Sequence, residues 1–107
     1  MDDILFYSGD SRNLVITVTN ADNEPVDLTG ASIEWILINQ NNAVLTKSVG
    51  LGITINNPTG GQFTIALTIK DTRPLSGTYQ HMARVTTSNE NSSIVLTGTI
   101  NVTKAFI

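Results

Sequence analysis

His81 is the first residue to examine for catalysis, because it is the chain's single histidine and imidazole is the usual general base for a nucleophile. A Ser–His pair needs the imidazole at the rim of a pocket, with a carboxylate that orients it. His81 instead lies within an alternating run, between Gln80 and Met82, and no nucleophile motif accompanies it. The sequence therefore predicts a structural histidine, partly buried in a strand and donating to a backbone carbonyl. It predicts no catalytic residue and no enzyme.

Acidic side chains could supply two other kinds of chemistry, which are glycoside hydrolysis by a carboxylate pair and calcium binding by clustered oxygens. A glycosidase needs two carboxyl groups about 5–10 Å apart across a cleft, and a domain of this size seldom frames one. The acidic loop at residues 22–27 lacks the twelve-residue spacing and the glycine of an EF-hand. We therefore expect turn-capping carboxylates and no metal site. The candidate groups are Asp2-Asp3, Asp22 with Glu24 and Asp27, and Glu34 with Asp71.

Patterns that bind cofactors are missing from the sequence. The absence of cysteine and the single histidine exclude the usual zinc sites. The glycine pair Gly60-Gly61 does not lead from a strand into a helix, so it does not predict a phosphate-binding loop. We expect no cofactor.

Trp35 raises a different possibility, because exposed aromatic rings stack on sugars. Such a platform would require Trp35, Tyr7 and Tyr79 to be exposed and coplanar. Trp35 lies between Ile33 and Leu37 at a spacing of two, which favours a core tryptophan on an inner strand. A carbohydrate-binding β-sandwich module is the alternative function.

Length and charge limit the remaining classes. With 107 residues the chain has the size of one domain, and we expect a single β-sandwich domain over residues 1–107. The net charge is −3 and the six basic residues are scattered, so no nucleic-acid partner is expected. No apolar run approaches the roughly 18 residues of a membrane-spanning helix, and no basic segment opens a signal peptide. We expect a soluble protein with no membrane partner.

Short runs of alternating apolar and polar residues, separated by Asn, Asp, Gly and Pro, are typical of an all-β domain. We expect seven or eight strands in an immunoglobulin-like antiparallel β-sandwich, with a partly open barrel as the alternative. Residues 71–77 are expected to form one helical turn or a tight crossover. In the run at 78–88, His81 and its alternating neighbours compete with Met82 for the inner face, which leaves the register open. In the last strand, at 93–104, four side chains are expected to face the core, namely Ile94, Leu96, Ile100 and Val102.

Several apolar residues have no predicted place in the core. Ile36 and Ile38 share the strand of Trp35 but lie on its opposite face, so this strand is either covered twice or meets a partner. The apolar segments at 4–7 and 105–107 either complete the sheets or form an interface. The candidate interface residues are Phe6, Tyr7, Ile36, Ile38, Phe106 and Ile107.

Two segments resemble a known family. Gly9-Asp10-Ser11, followed by a strand and then Pro25-Val26-Asp27-Leu28-Thr29-Gly30-Ala31, resembles the opening of small bacteriophage virion proteins. These include the N-terminal domain of baseplate upper proteins of phages that infect Gram-positive bacteria. Leu75-Ser76-Gly77-Thr78-Tyr79 is similar, with one spacer fewer, to the Leu-x-x-Gly-x-Tyr corner of immunoglobulin-like domains. In such a corner the tyrosine hydroxyl bonds to the backbone a few residues upstream.

The resemblance implies a non-catalytic virion structural protein, made in the host cytoplasm and located in the virion. Its place would be in the tail, baseplate or neck, or on the capsid as a decoration. The partners it implies are other virion proteins, and we expect a homo-oligomer or many copies on the particle. It implies no catalytic or ligand-binding residue.

Overall fold

The structure is a computed structural model that describes residues 4–107. Eight strands and one short helix follow one another along these residues, so the predicted all-β class is confirmed. No helix among them is long and apolar enough to cross a membrane. In chain order the elements are β1 (Ile4–Tyr7), β2 (Arg12–Thr17), β3 (Ser32–Asn39), β4 (Asn42–Val49), β5 (Gly52–Asn57), β6 (Gln62–Leu67), α1 (Ile69–Thr72), β7 (Gly77–Thr86) and β8 (Ser92–Thr103).

The eight strands belong to one hydrogen-bonded sheet with the order β1-β8-β7-β3-β4-β5-β6-β2. The β1–β8 and β4–β5 pairings are parallel, and the other pairings are antiparallel. The sheet curls, so that a five-strand half (β1-β8-β7-β3-β4) and a three-strand half (β5-β6-β2) contribute to one core. The predicted division into two separate sheets is not confirmed, because the ladder continues from one half into the other.

The chain passes between the two halves at a corner that joins β4 to β5. The corner pairs Val49 with Ile53, and the Gly50 amide donates to the Ile53 carbonyl at 3.0 Å. Gly50 and Gly52 have φ angles of 87° and 101°, a region that favours glycine. A Cβ atom at Gly52 would also overlap the side chain of Lys47. Both positions therefore favour glycine, and together they form the corner at which the sheet curls.

Inward side chains from both halves form the core. In β3 and β6 every second residue is buried, as the alternating sequence predicts. Burying one large apolar side chain contributes about 1.5–3 kcal/mol, so these alternating rows are the main source of stability. The largest fully buried side chains are Trp35, Phe6, Phe63, Leu28, Ile33, Leu37, Ile53, Ile65, Ile100, His81 and Thr72.

The pairing of β3 with β7 decides the register that the sequence left open. Leu37 lies opposite His81, and both side chains are buried. The next pair along the strands, Ile36 and Met82, therefore faces away from the core, and both side chains are partly exposed. His81 thus lies inside the sheet and Met82 lies on its outer surface.

A β-bulge in β8 makes the predicted orientation of Ile94 wrong. Ala83 pairs with Leu96 and the next residue, Arg84, pairs with Ile94, so Val95 is the extra residue. One extra residue reverses the alternation beyond it, and Ile94 consequently faces outward with 43% of its surface exposed. The rest of the predicted inward set is buried, namely Leu96, Ile100 and Val102.

The crossover between β6 and β7 contains α1 and a tyrosine corner. Thr68 caps α1 through reciprocal hydrogen bonds with Asp71, so the helical turn begins at Ile69, two residues before the segment predicted to contain it. Beyond it, the Tyr79 hydroxyl donates to the Ser76 carbonyl at 3.1 Å and accepts from the Ser76 amide at 3.0 Å. The backbone bond expected for the Tyr79 hydroxyl is therefore confirmed.

An ion pair ties this crossover to β4. The Lys47 Nζ lies 2.7 Å from Asp71 Oδ2, and the two side chains are only 13% and 16% exposed. Burial acts to raise the pKa of Asp71, but hydrogen bonds from Lys47 and Thr68 outweigh it and hold that pKa below the ordinary 3.8. The folded state consequently favours the charged carboxylate.

Replacing Tyr79 by Phe is expected to lower the free energy of unfolding by about 1–3 kcal/mol, because both backbone groups of Ser76 lose their partner at a partly buried site. Urea denaturation measures this change. The matched control is Tyr7→Phe, since the Tyr7 side chain is 54% exposed. Equal effects of the two variants would show that the corner bond does not stabilise the fold.

Replacing Asp71 by Asn is expected to lower stability at neutral pH and to have less effect in acid. A carboxylate with a lowered folded-state pKa stabilises the fold above its ordinary pKa of 3.8, and this contribution disappears as the pH falls through the folded value. Urea denaturation of wild type and variant should show a constant difference down to about pH 5 and a shrinking one below about pH 4. If wild type and variant differ in free energy of unfolding by the same amount above about pH 5 and below about pH 4, the carboxylate charge has no stabilising role.

Candidate functional site

His81, the candidate catalytic base, lies in the core with 1% of its surface exposed. Its Nδ1 accepts a hydrogen bond from the indole Nε1–H of Trp35 at 3.1 Å, and the two rings meet edge-on at 67°. A ring nitrogen that accepts a hydrogen bond carries no proton, so Nδ1 is the unprotonated nitrogen in this arrangement. The structure therefore buries His81 more deeply than predicted, beside an indole that the sequence did not identify as its partner.

Two of the three residues considered for a sugar-binding platform lie in the interior. Trp35 is 1% exposed and Tyr79 is 5% exposed, whereas Tyr7 is 54% exposed. Stacking on a sugar requires an exposed ring face, so these three residues do not form a platform. The prediction that Trp35 belongs to the core is confirmed.

Of the acidic loop residues, Asp27 caps a turn with its carboxylate, as predicted. The carboxylate of Asp27 accepts from the Thr29 hydroxyl at 2.6 Å and from the Thr29 amide at 2.9 Å, and these bonds lower the pKa of Asp27. Asn20 Oδ1 accepts from the amides of Asp22 and Glu24. The side chains of Asn20 and Asp27 thus cap the backbone of this loop.

The other acidic candidates are not brought together. Glu34 lies on the outward side of β3, while Asp71 lies in the crossover and pairs with Lys47. Asp2-Asp3 lies outside the described residues. Within residues 4–107, no three metal-ligating side chains lie close enough to share an ion.

The six predicted interface residues occupy three different environments. Phe6 belongs to the core with 1% exposure, because the pairing of β1 with β8 places it opposite Val102 on the inward side. We therefore remove Phe6 from the candidate surface. The five others fall on two surfaces, one at the end of β1 and β8 and one on β3.

The first surface, called here the terminal end, carries Tyr7, Phe106 and Ile107. Phe106 is 88% exposed and Ile107 is fully exposed. The Ala105 amide donates to Ser8 Oγ at 2.8 Å, which holds the residues after β8 beside the end of β1. A groove of about 850 Å³ runs along this surface, lined by residues 7–10, 73–76 and 104–107.

The second surface, called here the outer face, is the outward side of the strands β8-β7-β3-β4. Ile36 and Ile38 lie near its centre, each with part of its surface exposed. β7 places Met82 directly beside Ile36. The result is an apolar centre, and its uncharged neighbours in the adjacent pairs are Gln80, Thr46, Ala43, Thr97 and Thr99.

Two charged residues lie at one end of the outer face. Glu34 on β3 is directly opposite Arg84 on β7, and both are exposed. Within the described residues the two form no ion pair with each other, and the Arg84 guanidinium donates to Ser92 Oγ at 3.0 Å. The sequence alone does not connect these two residues with Met82 or with the isoleucines, because it leaves the register of β7 open.

No protein-family model matches the chain, and no curated protein shows significant sequence similarity to it. A functional proposal therefore depends on the residues and their geometry, with the family resemblance as an expectation.

The fluorescence of Trp35 tests its place in the core. Trp35 is the single tryptophan, so emission reports on this site alone. We expect blue-shifted emission that iodide does not quench in the native protein, and a red shift with full quenching in denaturant, because burial excludes both water and the ion. Adding soluble glycans should leave the native spectrum unchanged. Quenching of native Trp35 by iodide would contradict the described packing.

Proposed function

We propose that this chain is a non-catalytic structural protein of a bacteriophage virion, and that it acts by binding other virion proteins. The observation that carries the binding role is the outer face, where Ile36, Ile38 and Met82 form an apolar centre with uncharged neighbours. The centres of protein interfaces are apolar and depleted in charge, and their rims are polar. The outer face has this composition.

The strand order supports the immunoglobulin-like part of the proposal. Neighbours β8-β7-β3-β4 follow the order G-F-C-C′ of variable-type immunoglobulin sheets, and β5-β6-β2 follows the order D-E-B. The tyrosine corner lies at the start of β7, which corresponds to strand F, where such corners occur. Fold alone does not assign a function, so the support for the binding role comes from the outer face.

The terminal end supplies a second contact in this proposal. Tyr7, on β1, is separated from Ile38, on β3, by strands β8 and β7. A protein that joins neighbours in a particle needs at least two contact surfaces, and many copies then multiply a weak contact into avidity. The outer face and the terminal end, with exposed Phe106 and Ile107, fit this requirement. The proposal covers the tail, baseplate, neck and capsid surface alike.

The test is incorporation into particles of the double variant Ile36→Asp with Ile38→Asp. Both side chains are partly exposed, so the variant is expected to unfold cooperatively like the wild type. Purified particles should contain at least about tenfold less of it, because two charges are placed in the centre of the contact. Quantitative mass spectrometry of particles from the producing phage measures the loss.

The matched control is Val15→Asp with Thr17→Asp, which changes two alternate outward residues of β2 in the three-strand half. This variant should be incorporated normally. If the Ile36/Ile38 variant does not fold, Ile36→Thr with Ile38→Thr keeps β-branched side chains while removing apolar surface. Absence of the wild-type chain from purified particles, or normal incorporation of folded outer-face variants, would overturn the proposal.

A further inference from the structure

The outer face has a self-complementary arrangement of residues across β3 and β7. Antiparallel pairing places Glu34 beside Arg84, Ile36 beside Met82, and Ile38 beside Gln80. Glu34 therefore has an opposite charge at the same height on β7, and Ile36 has an apolar partner there, while Ile38 lies beside an uncharged amide. A surface arranged in this way can contact a copy of itself.

The symmetry operation is a two-fold axis that lies in the interface, runs parallel to the strands, and passes midway between β3 and β7. Rotation about this axis places β3 of a second copy over β7 of the first at the same height. Glu34 then meets Arg84 of the second copy, and Ile36 meets Met82 of the second copy. Because a two-fold interface uses the same surface twice, both contacts occur twice.

Charge supports a second copy as the occupant of this face. Glu34 and Arg84 are the charged residues that point outward on the four strands, since His81 is buried and Lys47 pairs with Asp71. They lie two residues, or about 7 Å, from the Ile36–Met82 pair, which places them toward the rim. Opposite charges at a rim favour correct register and faster association.

The size of the face is sufficient for a weak, specific contact. Four strands about 4.8 Å apart, each about eight residues long, cover about 500 Å². Two copies would therefore bury about 1,000 Å², which is the lower limit for a specific interface. We expect a dimer that dissociates readily and depends on concentration.

We propose that the outer face binds a second copy of this chain about that two-fold axis, with Glu34 against Arg84 of the second copy. This inference rests on the proposed function, because it names the partner of the same face. It predicts a dimer in solution, without other virion proteins, that weakens as salt screens the two rim contacts.

The experiment exchanges charge between two separate variants, Glu34→Arg and Arg84→Glu. Each variant alone would place like charges against each other in the dimer, so each should associate at least about tenfold more weakly than the wild type. A one-to-one mixture restores opposite charges in the mixed dimer and should recover wild-type association. Light scattering gives the mass, and native mass spectrometry identifies mixed dimers.

Mixing separates contacts between copies from effects within one chain. Each variant has like charges opposite each other on its own β3 and β7, and mixing cannot relieve that strain. Circular dichroism checks the fold of each variant. If either fails to fold, Glu34→Gln and Arg84→Gln remove the attraction without adding repulsion and should each weaken the dimer.

Two results would overturn this inference. A wild-type chain that stays monomeric up to about 1 mM would exclude a second copy as the partner, while leaving particle incorporation through the outer face intact. A wild-type dimer whose charge variants show no recovery on mixing would exclude the proposed axis. Loss of incorporation for the Ile36/Ile38 variant, with a monomeric wild type, would indicate a different virion protein on this face.

Discussion

The pairing of β3 with β7 is the constraint on which the rest of the molecule depends. Side chains alternate along a strand, so a register that buries Trp35 and His81 must turn Ile36 and Met82 outward. The hydrogen bond between the indole and the imidazole satisfies two polar groups in the core, and it favours this register over a shifted one. The same residues that complete the core on one side thus define the candidate binding surface on the other.

The corner between β4 and β5 extends this arrangement to the whole sheet. Two glycines with positive φ let the chain turn without losing its hydrogen-bonded neighbour, so the three-strand half folds back over the inner side of β3 and β7. Lys47 occupies the space beside Gly52 and reaches Asp71, which fixes the crossover to the same corner. Curling of the sheet therefore covers the inner side of β3, where Trp35 lies. Burial of that apolar surface in turn stabilises the curled sheet.

Features that depend on neighbouring residues could be predicted from the sequence. The alternation around Trp35 and the bond of the Tyr79 hydroxyl are of this kind. Features that depend on distant pairing could not. Phe6 is buried because β1 lies beside β8, almost a hundred residues later, and Ile94 faces outward because one residue is inserted opposite Ala83. The outer face as a unit required the β3–β7 register, which no local pattern contains.

The parallel pairing of β1 with β8 has a mechanical consequence. Ile4 lies beside Ile100 and Tyr7 lies beside Thr103, so tension that enters before β1 and leaves after β8 pulls the two strands in opposite directions along their common ladder. The bonds of this ladder are then loaded in shear and must break together, rather than one after another as in peeling. Phe6 adds to this resistance, because its buried side chain must leave the core before β1 can slide.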